Sequence, residues 1–124
     1  MRLHEIELGS ADPEKSKEFY KTVLGLNLSV DQQGLKVFKT GAGSLDFNVS
    51  THLSAGTVAI SFLTDDLSLT IQKLQALGIR YDGPERSHLE MDAIRLKDPD
   101  GFTVIINAPT AGSPAWLKPY AKNL

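Results

Sequence analysis

Glu5 and Glu7 alternate with Ile6 and Leu8 across residues 3–8, so two carboxylates look to one side of a strand and an apolar pair to the other. Three later segments repeat the arrangement. Asp46, Asn48 and Ser50 oppose Leu45, Phe47 and Val49; Thr57, Ala59 and Ser61 oppose Val58, Ile60 and Phe62; Thr103, Ile105 and Asn107 oppose Val104 and Ile106. A uniformly apolar strand face belongs against a helix, which leaves Glu5, Glu7, Asp46, Asn48, Thr57, Ser61 and Asn107 as candidate ligand-binding residues. Their chemistry is oxygen-rich and largely acidic. Clustered carboxylates raise one another's pKa, which suits Glu5 or Glu7 to general-base work without a metal, and Arg95 would add a bidentate fork for a carboxylate or phosphate. The same alternation also marks the solvent face of an open sheet, so parity alone does not separate a site from a wetted surface.

The three histidines offer less. His4 shares its face with Ile6 and Leu8, and a one-residue slip that made it a ligand would turn those two onto the polar side. His52 falls in a link between elements. His88, Glu90 and Asp92 alternate like a metal trio, but such a run is ordinarily the solvated face of a strand, with Met91, Ala93 and Arg95 opposite, and it is assigned no chemistry.

The elements that must position these residues are written clearly around Asp12 to Leu26. Asp12 is a natural N-cap, Pro13 suits the first helical position, and Glu14 favours the positive helix end. Phe19, Tyr20, Val23 and Leu24 form one stripe up to Gly25, so the expected helix runs to Leu24 and covers a sheet with that stripe. Strands are expected over residues 26–30, 35–40 and 44–50. Leu24-Gly25-Leu26 then returns as Leu77-Gly78-Ile79, after a strand at 57–63 and a helix capped by Asp65 or Asp66 and carrying Leu67, Ile71, Leu74 and Leu77. Strands at 79–82, about 89–97 and 102–107 follow, the last two joined by Asp98-Pro99-Asp100-Gly101. The chain thus reads as one supersecondary unit used twice, about 1–51 and about 57–108, within a single domain of 124 residues. A tail, 109–124, carries Trp116, Leu117 and Tyr120, apolar enough to lie across the sheet or a partner.

Composition narrows the classes. At 41% apolar and 23% charged the chain is globular, and zero cysteines exclude disulfides, thiolate metal sites and cysteine nucleophiles. With no apolar signal core or membrane-length run, the expected location is the cytoplasm. A net charge of -2 without a basic cluster gives no footprint for nucleic acid, so the expected partner is a small molecule.

The Asp-x-x-x-Ser-x-x-Phe-Tyr-x-x-x-Leu-Gly-Leu run at Asp12 to Leu26, with Asp98-Pro99-Asp100-Gly101-Phe102 near the end, resembles the vicinal oxygen chelate superfamily, which includes glyoxalase I, extradiol dioxygenases, methylmalonyl-CoA epimerase and the bleomycin resistance proteins. The resemblance covers residues 1 to about 108. It implies an α+β fold of two βαβββ units whose eight strands form a mixed, cup-shaped sheet with helices outside, and a homodimer. Within such a cup Phe38, opposite in parity to Val37, would add an aromatic wall and Met91 an adaptable one. Metal-bearing members place His, Gln or Glu on four strands, and the matching positions here are Glu5, Asp46, Thr57 and Ile105. Only Glu5 is a standard ligand, so neither the family metal nor another cofactor is expected, although two carboxylates leave magnesium or manganese chemically open. Three functions remain: a metal-free, bleomycin-resistance-like binder of a small polar molecule; a metal-dependent lyase, isomerase or dioxygenase of the glyoxalase I type; and a metal-free enzyme using the carboxylates.

Overall fold

A computed structural model describes residues 1–43 and 45–120, with side chains as far as Leu117 at the C-terminal end. Its elements are β1 (Arg2–Gly9), α1 (Pro13–Thr22), β2 (Leu28–Gln32), β3 (Leu35–Lys39), β4 (Asp46–Ser50), β5 (Val58–Leu63), α2 (Leu67–Ala76), β6 (Asp82–Arg86), β7 (Asp92–Lys97) and β8 (Thr103–Ala108). The eight strands pair in mixed fashion, and the fold is α+β, as expected. Two compact units emerge, His4–Ile60 and Ser61–Leu124 with Met1–Leu3, so the division falls inside β5. Among the described residues, no helix is long and apolar enough to cross a membrane.

In the first unit the hydrogen-bonding order is β2-β3-β4-β1. The last strand returns beside the first, and that pairing is parallel, with Glu5 opposite Asp46, Glu7 opposite Asn48 and Gly9 opposite Ser50. A parallel pair needs a long crossover, which α1 and the β2–β3 hairpin supply. Asp12 caps α1 as expected, accepting from the Lys15 N–H, and Gly25, at φ 71°, ends it: the N–H groups of Gly25 and Leu26 return to the carbonyls of Lys21 and Tyr20. The helix stops at Thr22, two residues before the expected Leu24. Its apolar stripe is also narrower than expected. Tyr20 sits between Phe38 and Phe47, with ring centroids 5.4 and 5.1 Å away, whereas Phe19 is 51% exposed and Val23 and Leu24 point outward. Phe38 therefore belongs to the helix side and not to a ligand wall, because Val37, not Phe38, is the residue opposite Asn48. Lys36 shares the helix side; its Nζ, almost wholly buried, donates to Glu14 of α1 and to Asp31 at 2.5 Å, while Lys17 of α1 donates to Asp31 at 2.6 Å. This ion cluster ties the helix to the β2–β3 turn. Ser44, the expected start of β4, lies outside the described residues.

In the second unit the order is β5-β8-β7-β6, the same plan. Asp66, not Asp65, caps α2 by accepting from the Leu69 N–H at 3.0 Å. Leu74 of α2 packs on Ile94 and Ile106 with Leu67, Ile71, Leu96 and Val104, so the faces expected to be apolar on β8 do meet a helix. The expected strand 79–82 is displaced: β6 begins where it was to end, and it pairs irregularly with β7 between Asp82 and Glu85, around Pro84. The expected strand at 89–97 starts only at Asp92. His88 and Glu90 fall in a 3-10 turn instead, with Arg86 bridging Glu90 and Asp92, each at 2.9 Å. Asp98 holds the β7–β8 turn by accepting from the N–H groups of Asp100 and Phe102. Leu117 of the tail is buried with Leu63 and Met91, so Met91 joins a core cluster; the side chain of Tyr120 and residues 121–124, also expected in the tail, lie outside the described residues.

Two outcomes test this packing. Phe38→Ala should cost about 3 kcal/mol in urea unfolding while Phe19→Ala changes stability by less than about 1; equal losses would mean that both rings are core. The second concerns Asp31, whose carboxyl is pulled from its ordinary 3.8 down to about 2 by hydrogen bonds from Lys17 and then Lys36. The stability it contributes is complete above pH 3.8 and disappears as pH falls through 2, so Asp31→Asn should flatten that limb of an acid-denaturation curve.

Candidate functional site

Parallel pairing of β1 with β4 gathers four of the sequence-selected residues on one face of the first unit: Glu5, Glu7, Asp46 and Asn48. Ser50 and Val37 share that face, Ser50 opposite Gly9 and Val37 opposite Asn48. It is not a wetted surface. Glu5 is only 6% exposed, Asn48 7%, and Ser50 is fully buried. A buried carboxyl resists ionisation, and Glu5 also faces two more acids. Burial, then the charge and hydrogen bond of Glu7, then the charge of Asp46 push its pKa from 4.5 up to about 7, against a smaller opposing effect from its hydrogen bond with Asn48. Glu7 is held from the other side, where Ser50 Oγ donates to its Oε1 at 2.8 Å and Nδ1 of the exposed His52 lies 4.0 Å away. The backbone N–H of His52 in turn donates to Ser50 Oγ. Asn48 keeps one atom unused: its buried Oδ1 has no hydrogen-bond partner.

Thr57 does not join this group. It precedes β5, is exposed, and donates its hydroxyl to the Ser54 carbonyl at 2.6 Å, closing the turn before the strand. The other three selected residues lie in the second unit. Ser61 is buried in β5; Asn107 in β8 is fully buried, its Oδ1 accepting from Ser87 Oγ at 3.1 Å while its Nδ2 has no partner. Arg95 in β7 stands opposite Ile105 and Asp82 but is exposed. Sequence reasoning gives no role to Ser87 and leaves His52 in a link, although the polar run Ser50-Thr51-His52 after an alternating strand is a signal for both Glu7 contacts.

Residues 2–106 match the sequence profile of the Glyoxalase/Bleomycin resistance protein/Dioxygenase superfamily, and the chain belongs to that superfamily. No curated protein matches it. Among solved structures it is similar to NAD-dependent benzaldehyde dehydrogenase from Legionella pneumophila (17% identity, TM-score 0.67, 86% of this chain and 98% of that one) and to methylmalonyl-CoA epimerase from Mycobacterium tuberculosis (16%, 0.64, 88% and 88%). It is also similar to the E323L mutant of homoprotocatechuate 2,3-dioxygenase from Brevibacterium fuscum (23%, 0.66), of which it covers 33% while 90% of this chain is covered. At these identities the likeness is one of fold.

The chain's own residues do not fit a four-ligand metal of the family type. Glu5 and Asp46 face each other, but the Glu5 carboxyl is hydrogen-bonded to Glu7, the Thr57 hydroxyl is taken by Ser54, and Ile105 has no donor atom. No nitrogen ligand stands at those four positions.

A carboxyl that stays protonated to higher pH in the folded than in the unfolded chain binds an extra proton between pH 4.5 and 7, so folding stability falls as pH rises through that window. Between pH 4 and 8 the wild type should lose on the order of 3 kcal/mol more than Glu5→Gln in urea unfolding. Parallel curves for the two proteins would show that Glu5 is not held this way.

Proposed function

We propose that the acidic face of the first unit binds a small polar molecule without the family metal, in the manner of a bleomycin-resistance-like protein, and that this molecule presents hydrogen-bond donors. The observation that carries the reading is the unpartnered, buried Oδ1 of Asn48 beside Glu5, Glu7 and Asp46. Carboxylates and an amide oxygen accept, so an ammonium or a polyhydroxylated ligand complements them, and a cation also offsets the repulsion among three acids. Ser61, Arg95 and Asn107 extend the reading to the second unit. A homodimer in the cytoplasm completes it, supported by the family resemblance and by the outward-facing Phe19, Val23 and Leu24.

A second reading is favoured by Glu5 itself: a carboxyl titrating near 7 can give and take a proton at neutral pH, which is the requirement of a metal-free acid/base enzyme. On that reading Glu5 moves the proton, and Glu7 and Asp46 set its affinity. Turnover of the bound ligand separates the two.

The test is a thermal-shift and calorimetric screen of chelator-stripped protein against small amines, polyols, and manganese, nickel and zinc. An amine or polyol should bind, with affinity for the amine rising as pH passes through 7, and Asp46→Asn or Glu7→Gln should weaken it about tenfold or more. Tight one-to-one binding of a metal, lost in Glu5→Ala with Asp46→Ala, would replace this reading by the metalloenzyme.

A further inference from the structure

The tail after β8 makes contacts unlike those of the strands it follows. Its backbone bonds are local: the Ser113 N–H returns to Thr110, the Leu117 N–H to Pro114, and the Thr110 N–H to Ser113 Oγ. What fastens it to the rest of the second unit is the buried Leu117 side chain against Leu63 and Met91, and two hydroxyls, Thr110 Oγ1 and Ser113 Oγ, donating to the carbonyl of Glu90 at 2.6 and 3.3 Å. That carbonyl belongs to a strained turn, because Leu89 and Glu90 both lie in the left-handed region, at φ 55° and 56°.

The anchoring points mark one end of the unit's polar face. Leu63 ends β5 on the Ser61 side, Met91 precedes β7 in step with Ala93, and Ala93 stands opposite Asn107. The Thr64 N–H donates to the carbonyl of Asn107 itself. Under this end lies the Asn107 Nδ2, a fully buried donor without a partner. A buried orphan donor is costly unless something else takes its hydrogen bond in another state.

We propose that residues 109–117 are a releasable strap over the Asn107 end of this face, and that lifting it presents the Asn107 amide to a ligand carrying a hydrogen-bond acceptor. The strap can leave without breaking a strand ladder, since its own N–H bonds travel with it; among the described residues, what is lost is the burial of Pro109, Ser113 and Leu117 and the two bonds to Glu90, and the 88–91 turn is then free to relax. The proposal extends the reading that this chain binds a small molecule on its polar strand faces, but its test needs no ligand and so fails or succeeds separately from that reading.

Hydrogen exchange on the full chain, followed by NMR for backbone amides and for the Asn107 side-chain NH2, reads the strap directly. Trp116, the only tryptophan of the chain, 56% exposed and next to Leu117, reports the same motion through its fluorescence. The expected result is that strap amides and the Asn107 NH2 exchange together, about tenfold or more faster than the amides of β7 and β8. Thr110→Val, which removes one bond to Glu90 without touching the core, should speed both and shift Trp116 emission to the red, leaving β7 and β8 protected; Leu117→Ala should do so more strongly. Strap exchange only in step with β7 and β8, or an Asn107 NH2 that stays protected while the strap opens, would overturn the proposal.

Discussion

The constraint on which the first unit depends is the parallel pairing of β1 with β4. Because side chains alternate with a period of two, setting Glu5 against Asp46 also sets Glu7 against Asn48 and Gly9 against Ser50, so three acids and an amide share one face. A one-residue slip would exchange them for Ile6, Leu8, Phe47 and Val49. The aromatic contact of Tyr20 with Phe38 and Phe47 opposes such a slip, for Phe47 must stay on the helix side to meet it. Gly9 contributes sterically: a Cβ there would lie 2.0 Å from the Ser54 carbonyl oxygen, so the chain can pass this point only without a side chain. The packing of one face thereby holds the chemistry of the other.

That chemistry opposes stability. Three carboxyl groups on a buried face repel one another and lose hydration, and the protein responds by keeping Glu5 protonated to near neutrality and hydrogen-bonding it to Glu7 and Asn48. The helix side does the reverse. There Lys36, equally buried, is surrounded by Glu14 and Asp31, and its ammonium is held above its usual pKa by their hydrogen bonds. Charges on the helix side are paired with charges of opposite sign, while the acids of the polar face all share one sign. Unmatched polar groups kept out of water are a feature of ligand sites rather than of cores.

Much of this was legible in the residues. The alternation of Glu5 and Glu7 with Ile6 and Leu8, the Asp12-Pro13 start and the two Leu-Gly stops each carry a local signal, and each names its element and face. The misplaced parts have causes that lie outside local pattern. Ile79 and Tyr81 look like strand residues, yet β6 begins at Asp82 and tolerates Gly83 and Pro84 through an irregular pairing. Nothing local forecasts the left-handed Leu89 in what reads as a strand; tertiary bonds at Glu90 accompany it. Phe38 lies on the helix side and not in a ligand wall because the register of β3 against β4, a non-local fact, sets it opposite Phe47. Parity groups Thr57 with the polar face, but its hydroxyl closes a turn one residue before the strand.

The two units show how one plan diverges into different chemistry. Each ends on a strand, β4 or β8, whose polar face bears a buried asparagine, Asn48 or Asn107, and each asparagine keeps one side of its amide without a partner. The unpaired atom is Oδ1 in the first and Nδ2 in the second. The difference follows from the neighbours: in the first unit the amide is bonded to the Glu5 carboxyl and its oxygen is left over, whereas in the second Ser87 Oγ donates to the oxygen and the nitrogen is left over. An acceptor beside three acids asks for a donor; the unpartnered donor of Asn107 asks for an acceptor. A hydroxyl, which both donates and accepts, suits either atom, whereas a pure donor suits only the first and a pure acceptor only the second, so the repeat has produced two faces of opposite hydrogen-bonding sense.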